Sequence, residues 1–175
     1  MSLQHVATAL ERVRAVLTRR PAMALHDDAP ASARWQGATR NVAIHANGTV
    51  IETDMATEVG GTGDRVSPGW LFRAGVASCA VTTIAMRAAV EGIALTALEA
   101  FVESRTDVRG LLAMSDPDGA PVPAGPFEMH LRIRIAADGL PPDELVAFVD
   151  RACRCAPVSS AVSSGVPLEL HVDVA

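Results

Sequence analysis

The sequence predicts a single α+β domain, and three observations carry this prediction. The chain has 175 residues, 49% apolar and 20% charged, which suits one packed core and is too short for two comfortable domains. A long apolar stretch, Ala74 to Leu95, has the length of a buried helix. Segments that alternate apolar and polar residues lie on both sides of it, and helices and strands do not follow each other as a regular βαβ series.

Composition excludes several classes of function. The net charge of −5 leaves no basic surface for nucleic acid, and aromatic residues make up only 3% of the chain. Arg87 and Glu91 interrupt the long apolar stretch, so we expect a core helix and no membrane span. Charged residues near the N-terminus leave no secretory signal. Three cysteines cannot all pair, which favours free thiols and a cytoplasmic location.

The first residues predict an amphipathic helix followed by a linker. Apolar residues recur at helical spacing over residues 3–20, and Pro21 and Pro30 mark the chain that follows. We expect this helix to pack on the domain or on a partner chain. The predicted organisation is therefore an N-terminal helix and linker over residues 1–30 and one domain over residues 31–175.

A hairpin and a glycine-rich loop come next. Val42–Ala46 and Val50–Thr53 flank Asn47-Gly48, a dipeptide that tolerates the two positive φ angles of a tight turn. The loop over residues 60–64, Gly-Gly-Thr-Gly-Asp, lacks the Lys-Ser/Thr pair of a phosphate loop. We therefore interpret it as a turn that lets the backbone pass a pocket.

The central helix has clear ends. Ser67 is a good N-cap, Pro68 suits the first helical position, and Gly92 ends the helix. The helix is apolar most of the way round, so other elements should cover it on several sides.

The remaining elements are two strands, two helices and a last strand. Strands are predicted over 95–103 and 127–135, a helix begins at Pro141-Pro142, and a short helical piece follows Pro157 as far as Gly165. Leu168, Leu170, Val172 and Val174 alternate with polar residues, which predicts a final strand.

Cys79 lies near the middle of the central helix, and its spacing alone is most typical of a small buried apolar residue. The residues around it, however, form a wider pattern. Ser67-Pro68-Gly69-Trp70-Leu71-Phe72-Arg73-Ala74-Gly75-Val76-Ala77-Ser78-Cys79 resembles the central helix of the OsmC/Ohr family, a group of bacterial proteins. Further landmarks of that family are similar to Asp54-Met55, Gly60-Gly61, the segment 107–112 and Ala156-Pro157-Val158-Ser159.

This resemblance covers roughly residues 32–175 and carries expectations for fold and function. It implies an OsmC-like fold, with antiparallel sheets wrapped around long central helices in an intertwined homodimer, and the site at the interface. It implies a peroxiredoxin-like thiol reaction in the oxidative stress response. In that reaction Cys79 reduces a small organic hydroperoxide to an alcohol and becomes a sulfenic acid. A dithiol is the implied reductant, and no metal or organic cofactor is implied.

The sequence departs from the family pattern at three positions. Ala156 occupies the place of the second, resolving cysteine, Gly69 that of a glutamate, and Val59 that of an arginine. These departures leave an alternative function, a catalytically inactive OsmC-like dimer that binds a small apolar ligand.

Substitutes for the missing groups are predicted from nearby residues. Cys155 is the candidate resolving thiol. Arg65, in the loop before the helix, is the candidate activator of the Cys79 thiolate, because Arg73 and Arg87 point away or lie too far along the helix. Cys79 gains little from the dipole of its own helix, which fades beyond the first turn.

Two other clusters are weak signals. Cys153-x-Cys155 lacks the matching ligands of a zinc site. Asp107 and Arg109 favour a structural ion pair, with carboxylate binding as the alternative.

Overall fold

The computed structural model describes residues 2–174, and the chain divides into two compact units. One unit is Ala9–Ala74, and the other consists of the residues before and after that segment. The architecture is mixed α and β, as the sequence predicts, with five α-helices and two antiparallel sheets among the described residues. The predicted boundary at residue 30, between the N-terminal helix with its linker and the domain, stays a prediction.

The unit Ala9–Ala74 contains a three-stranded sheet. Helix α1 runs over Leu3–Arg19 and is followed by a 3₁₀ turn at Pro21–Ala24. Strands β1 (Ser32–Gly37), β2 (Arg40–Ile44) and β3 (Val50–Thr53) pair antiparallel in the order β1-β2-β3. The sequence did not predict β1, because its residues, Ser-Ala-Arg-Trp-Gln-Gly, show no apolar alternation and nearly all are exposed.

The predicted hairpin is present, but its turn differs from the prediction. Only Gly48 has a positive φ, +90°, and Asn47 does not share it. The Asn47 side chain accepts a hydrogen bond from the Thr49 amide (2.9 Å), and the Asn47 amide is bonded to the His45 ring (3.1 Å). These local bonds hold a longer turn in which only one residue needs the left-handed conformation.

The glycine-rich loop is pinned to the end of β3 by Asp54, whose side chain is 2% exposed. Its carboxylate accepts hydrogen bonds from the Thr39 hydroxyl (2.5 Å), the Thr62 amide (3.1 Å) and the Arg40 guanidinium (3.2 Å). Gly61 is required here, because a Cβ at that position would lie 1.9 Å from the Met55 carbonyl oxygen. The loop is therefore a fixed turn.

The second unit is built around helix α2, strands β4 and β5, and helices α4 and α5. Helix α2 covers Pro68–Glu91, β4 covers Leu95–Arg105, and a short α3 covers Val108–Leu111. Strand β5 covers Glu128–Ala137 and pairs with β4 along its length. Helices α4 (Pro142–Cys153) and α5 (Pro157–Ser164) complete the set, each with Pro at its start as predicted.

The core of this unit lies where α2, α4 and the β4–β5 sheet meet. The buried cluster consists of Ile84, Ala88, Ile93, Leu145, Phe148 and Ala152, with apolar residues of β4 and β5 packed against it. Removing one of the larger side chains from such a cluster costs about 2–5 kcal/mol. The predicted apolar face of α4 is confirmed by the burial of Leu145, Phe148 and Ala152.

Helix α2 is covered less than the sequence predicts. Its buried residues are Val76, Ala80, Ile84 and Ala88, which form one stripe at four-residue spacing, and Ala89 beside them. By length and composition alone it could also cross a membrane, a test that core helices of soluble proteins pass as well. Within one chain, then, only one side of this apolar helix is packed.

The predicted final strand is wrong for this chain. Residues 166–174 form no helix or strand, and Leu168, Leu170 and Val174 are each more than four-fifths exposed. A strand needs a partner edge for its amides and carbonyls. No strand of the part of the chain that is described pairs with this segment.

Candidate functional site

Cys79 lies on α2 beside the buried stripe, between the exposed Ser78 and the fully buried Ala80. Its side chain is partly exposed and forms no disulfide. The commonest fate of such a cysteine, full burial among aliphatic residues, is therefore not realised here.

The Cys79 sulfur lies at the start of α5. Its Sγ accepts a hydrogen bond from the backbone amide of Val158, with an N···S distance of 3.5 Å. Val158 is the second residue of α5, and the N-cap residue Ala156 has no side chain that could accept this bond. An N-cap side chain usually accepts a hydrogen bond from a free amide of the first turn, and here the Cys79 sulfur accepts that bond.

This contact changes the electrostatic argument made from the sequence. The dipole of α2 does little for a residue in its middle, but the amino-terminal end of α5 presents partial positive charge directly to the sulfur. An N–H donor and a nearby helix amino terminus are surroundings in which reactive cysteines occur in proteins. The sequence pointed to a nearby arginine, and the structure supplies a backbone amide.

Ser159, the next residue along α5, brings a second polar group to this turn. Its hydroxyl oxygen is buried and has no hydrogen-bond partner among residues 2–174. Beyond it, Val158 and Val162 are 37% and 39% exposed and lie one turn apart on α5. The sulfur therefore meets a backbone donor of α5, in a helix that also carries a buried hydroxyl and two partly exposed valines.

The other two cysteines differ sharply from Cys79. Cys155 is exposed, and its amide is bonded to the Ala152 carbonyl (2.9 Å) in the turn that leaves α4. Cys153 is partly buried and packs against the core cluster. Burial raises the pKa of the Cys153 thiol, and the Asp150 carboxylate raises it further. Neither thiol forms a disulfide with Cys79 in the described chain.

Arg65 is engaged inside the unit Ala9–Ala74. Its Nε donates to Glu52 Oε2 (2.6 Å), and its Nη1 lies 3.0 Å from Asp64 Oδ2. The hydrogen bond to Glu52 and the charge of Asp64 raise the pKa of Arg65. Its predicted role as activator of Cys79 stays a prediction, and two carboxylates already balance its charge.

Sequence reasoning missed Arg40. One of its guanidinium nitrogens is shared by Asp54, Thr62 and Asp64, at 2.5 to 3.2 Å. The side chain is 29% exposed. Asp54 follows β3, and Asp64 lies in the glycine-rich loop. These two acidic residues were the sequence signal that could have indicated a nearby arginine. Two carboxylates held close together are stabilised by a cation between them, and Arg40 is that cation.

Two weaker sequence signals are resolved as local structure. Asp107 caps α3 and binds Arg109 with a closest N···O distance of 2.6 Å, so this pair is the structural ion pair that the sequence favoured. Among residues 2–174, no three His, Cys, Asp or Glu side chains form a group that could hold a metal ion.

Comparison with known proteins decides the family. The profile of the OsmC-like protein family matches residues 61–171. The chain belongs to the OsmC-like family. The match includes Cys79 and the elements α2, β4, α3, β5, α4 and α5, so the resemblance stated from the central helix is confirmed. No curated protein matches the chain significantly.

Solved structures of OsmC-like proteins share the fold at low sequence identity. An OsmC-like protein from Mycoplasma pneumoniae is 18% identical with a TM-score of 0.65, over 79% of this chain and 89% of its own. A putative osmotic stress induced and detoxification response protein from Psychrobacter arcticus is 22% identical (TM-score 0.60, 78% and 90% covered). An organic hydroperoxide resistance protein from Legionella pneumophila is 24% identical (TM-score 0.57, 79% and 90% covered).

Proposed function

We propose that this OsmC-like protein is a thiol-dependent organic hydroperoxide reductase in which Cys79 is the nucleophile. The observation that carries the proposal is the bond from the Val158 amide to the Cys79 sulfur at the start of α5. Membership of the family supports it, as does the similarity to a protein named for organic hydroperoxide resistance. A partly exposed sulfur that is not in a disulfide meets the first requirement of the reaction.

The proposed reaction uses the ionised sulfur. The Cys79 thiolate attacks the terminal oxygen of the hydroperoxide, so an S–O bond forms while the O–O bond breaks. The alkoxide that leaves takes up a proton and departs as the alcohol. Cys79 is left as a sulfenic acid, having been oxidised by two electrons, and the hydroperoxide has been reduced by two electrons.

The surroundings of Cys79 fit an organic hydroperoxide better than hydrogen peroxide. The exposed side chains of Val158 and Val162 offer apolar contact for an alkyl or aryl group. Cytoplasmic conditions would keep the thiol reduced between turnovers, in line with three free cysteines.

A homodimer is part of the proposal. Helix α2 buries a single stripe, while Met86, Val90 and Phe101 of the same unit are between 36% and 50% exposed. The alternating segment 168–174 is also exposed. Apolar surface on this scale is typical of an interface, and a second copy would cover the uncovered sides of α2.

One observation favours the alternative, an inactive dimer that binds a small apolar ligand. The guanidinium of Arg65, the cation assigned to thiolate activation, is already paired with Glu52 and Asp64. If Cys79 needs a side-chain cation, the α5 amide alone would leave it unreactive.

The two functions are separated by a trapping experiment. Reduced protein is mixed with one equivalent of cumene hydroperoxide in the presence of dimedone, and each cysteine peptide is analysed by mass spectrometry. We expect the sulfenate adduct on Cys79 within seconds to minutes, before Cys155, although Cys155 is the more exposed thiol. Unmodified Cys79 at a large excess of peroxide would establish the inactive alternative.

A further inference from the structure

Among the described residues, the Cys79 sulfur is bonded to a backbone amide and forms no disulfide with Cys153 or Cys155. A resolving thiol must attack the Cys79 sulfur, and it reacts as the thiolate. The structure places the start of α5 against that sulfur, so the side chains that precede Val158 are the natural donors. Those positions are Cys155, Ala156 and Pro157, of which only Cys155 carries a thiol.

Ala156 holds the position from which a thiol would reach Cys79. It is the N-cap of α5, and an N-cap side chain normally lies over the amides of the first turn. The Cys79 sulfur lies at one of those amides. Ala156 is completely buried, so the site is filled by a methyl group.

Cys155 points elsewhere. Its neighbour Ala156 is 0% exposed whereas Cys155 is exposed, so the backbone turns the two side chains in different directions. Two hydrogen bonds fix this turn, from the Cys155 amide to Ala152 O (2.9 Å) and from the Ala156 amide to Cys153 O (3.1 Å). Turning Cys155 inward would break them and expel Ala156 from the interior.

Cys153 is also unsuited to resolve Cys79. Its side chain packs against the core cluster around Ile84 and Phe148, and burial, followed by the charge of Asp150, raises the pKa of its thiol. A neutral thiol is a poor nucleophile. The two remaining cysteines of the chain are thus excluded by direction and by protonation.

We propose that the sulfenic acid of Cys79 is resolved directly by a small external thiol, which forms a mixed disulfide with Cys79. This inference rests on the proposed function of Cys79. In the first step the thiol R–SH and Cys79–SOH give Cys79–S–S–R and water. In the second step another thiol, or the second sulfur of a dithiol, attacks the R sulfur, forms a disulfide with it and releases the Cys79 thiolate. The external thiol is oxidised and Cys79 is reduced by two electrons.

The test compares the wild type with the Cys153→Ser/Cys155→Ser double variant. Each reduced protein receives one equivalent of cumene hydroperoxide and then glutathione, and non-reduced peptides are analysed by mass spectrometry. We expect a Cys79–glutathione disulfide in both proteins. Peroxide turnover with glutathione should agree within about twofold.

A matched pair of variants checks that the assay detects an internal disulfide. Ala156→Cys places a thiol at the N-cap of α5, and we expect it to link to Cys79 and to suppress the glutathione adduct. The control is Ala156→Cys in a Cys79→Ser background, which has no sulfur at position 79 and should therefore form no such disulfide.

Three results would overturn the inference in different ways. A disulfide from Cys79 to Cys155 or Cys153 before glutathione is added, with turnover lower by about tenfold or more in the double variant, would establish an internal resolving thiol. A Cys79 sulfenate that dimedone traps but glutathione does not consume would refute the inference and leave the proposed function intact. Failure to form the sulfenate in any variant would refute the proposed function itself.

Discussion

Cys79→Ser is expected to lower the hydroperoxide turnover of this protein by at least about a thousandfold, because a serine hydroxyl does not form the nucleophilic anion near neutral pH. The measurement is the loss of cumene hydroperoxide with dithiothreitol as reductant. Serine is close to cysteine in size, and the Val158 amide retains an oxygen acceptor in place of the sulfur. The fold should therefore be kept.

The controls are the single variants Cys153→Ser and Cys155→Ser. Neither side chain forms a disulfide with Cys79 in the described chain, so each should retain turnover within about threefold of the wild type. If turnover persists in Cys79→Ser and is lost in Cys153→Ser or Cys155→Ser, the nucleophile is not Cys79.

Asp54→Asn is expected to lower the melting temperature by about 5 °C or more, the largest stability effect of any surface-loop substitution in the unit Ala9–Ala74. The carboxylate of Asp54 is 2% exposed and accepts bonds from Thr39, Arg40 and Thr62. An amide group presents donors where these partners also donate, and it leaves Arg40 without its buried counter-charge.

Asp64→Asn is the matched comparison. Asp64 binds the same Arg40 guanidinium but is 46% exposed, so solvent replaces much of what is lost. We expect a decrease in melting temperature of less than half that of Asp54→Asn. Equal decreases in melting temperature for the two substitutions would show that the burial of Asp54 does not increase its contribution to stability.

The pH dependence of stability follows from the same contacts. Hydrogen bonds from Thr39 and Thr62 hold the pKa of Asp54 well below its usual range. A lowered folded-state pKa means that the contribution is fully present above the unfolded value of about 4 and is lost as the pH falls through the folded value. Wild-type stability should decline below about pH 4, and Asp54→Asn should lack this part of the decline.

Elements with strong periodicity or clear end signals were predictable from the sequence. Helix α1, helix α2 from Ser67 to Gly92, and the buried face of α4 follow directly from spacing and capping residues. Strand β1 was not predictable, because it is exposed and its residues do not alternate. The final strand was predicted and is absent, because alternation shows which residues could share a face but supplies no partner edge.

The candidate site was predictable only in part. The position of Cys79 on α2 could be inferred from the sequence, and so could a helix that begins at Pro157. The contact between them could not be inferred, because 79 positions separate Cys79 from Val158 and no local sequence pattern indicates which distant residues meet. The donor is moreover a backbone amide, which every residue except proline carries. The ion pairs of Arg65 are likewise a property of the folded loop.

The central claim is that the start of α5 makes the Cys79 sulfur the most reactive thiol of the chain. The most direct test is the alkylation rate of each cysteine at about pH 7 with a limiting amount of iodoacetamide, measured by peptide mass spectrometry. We predict that Cys79 reacts at least about tenfold faster than Cys155, although it is the less exposed of the two. Rates that follow exposure, with Cys155 first and Cys79 slow, would contradict the account.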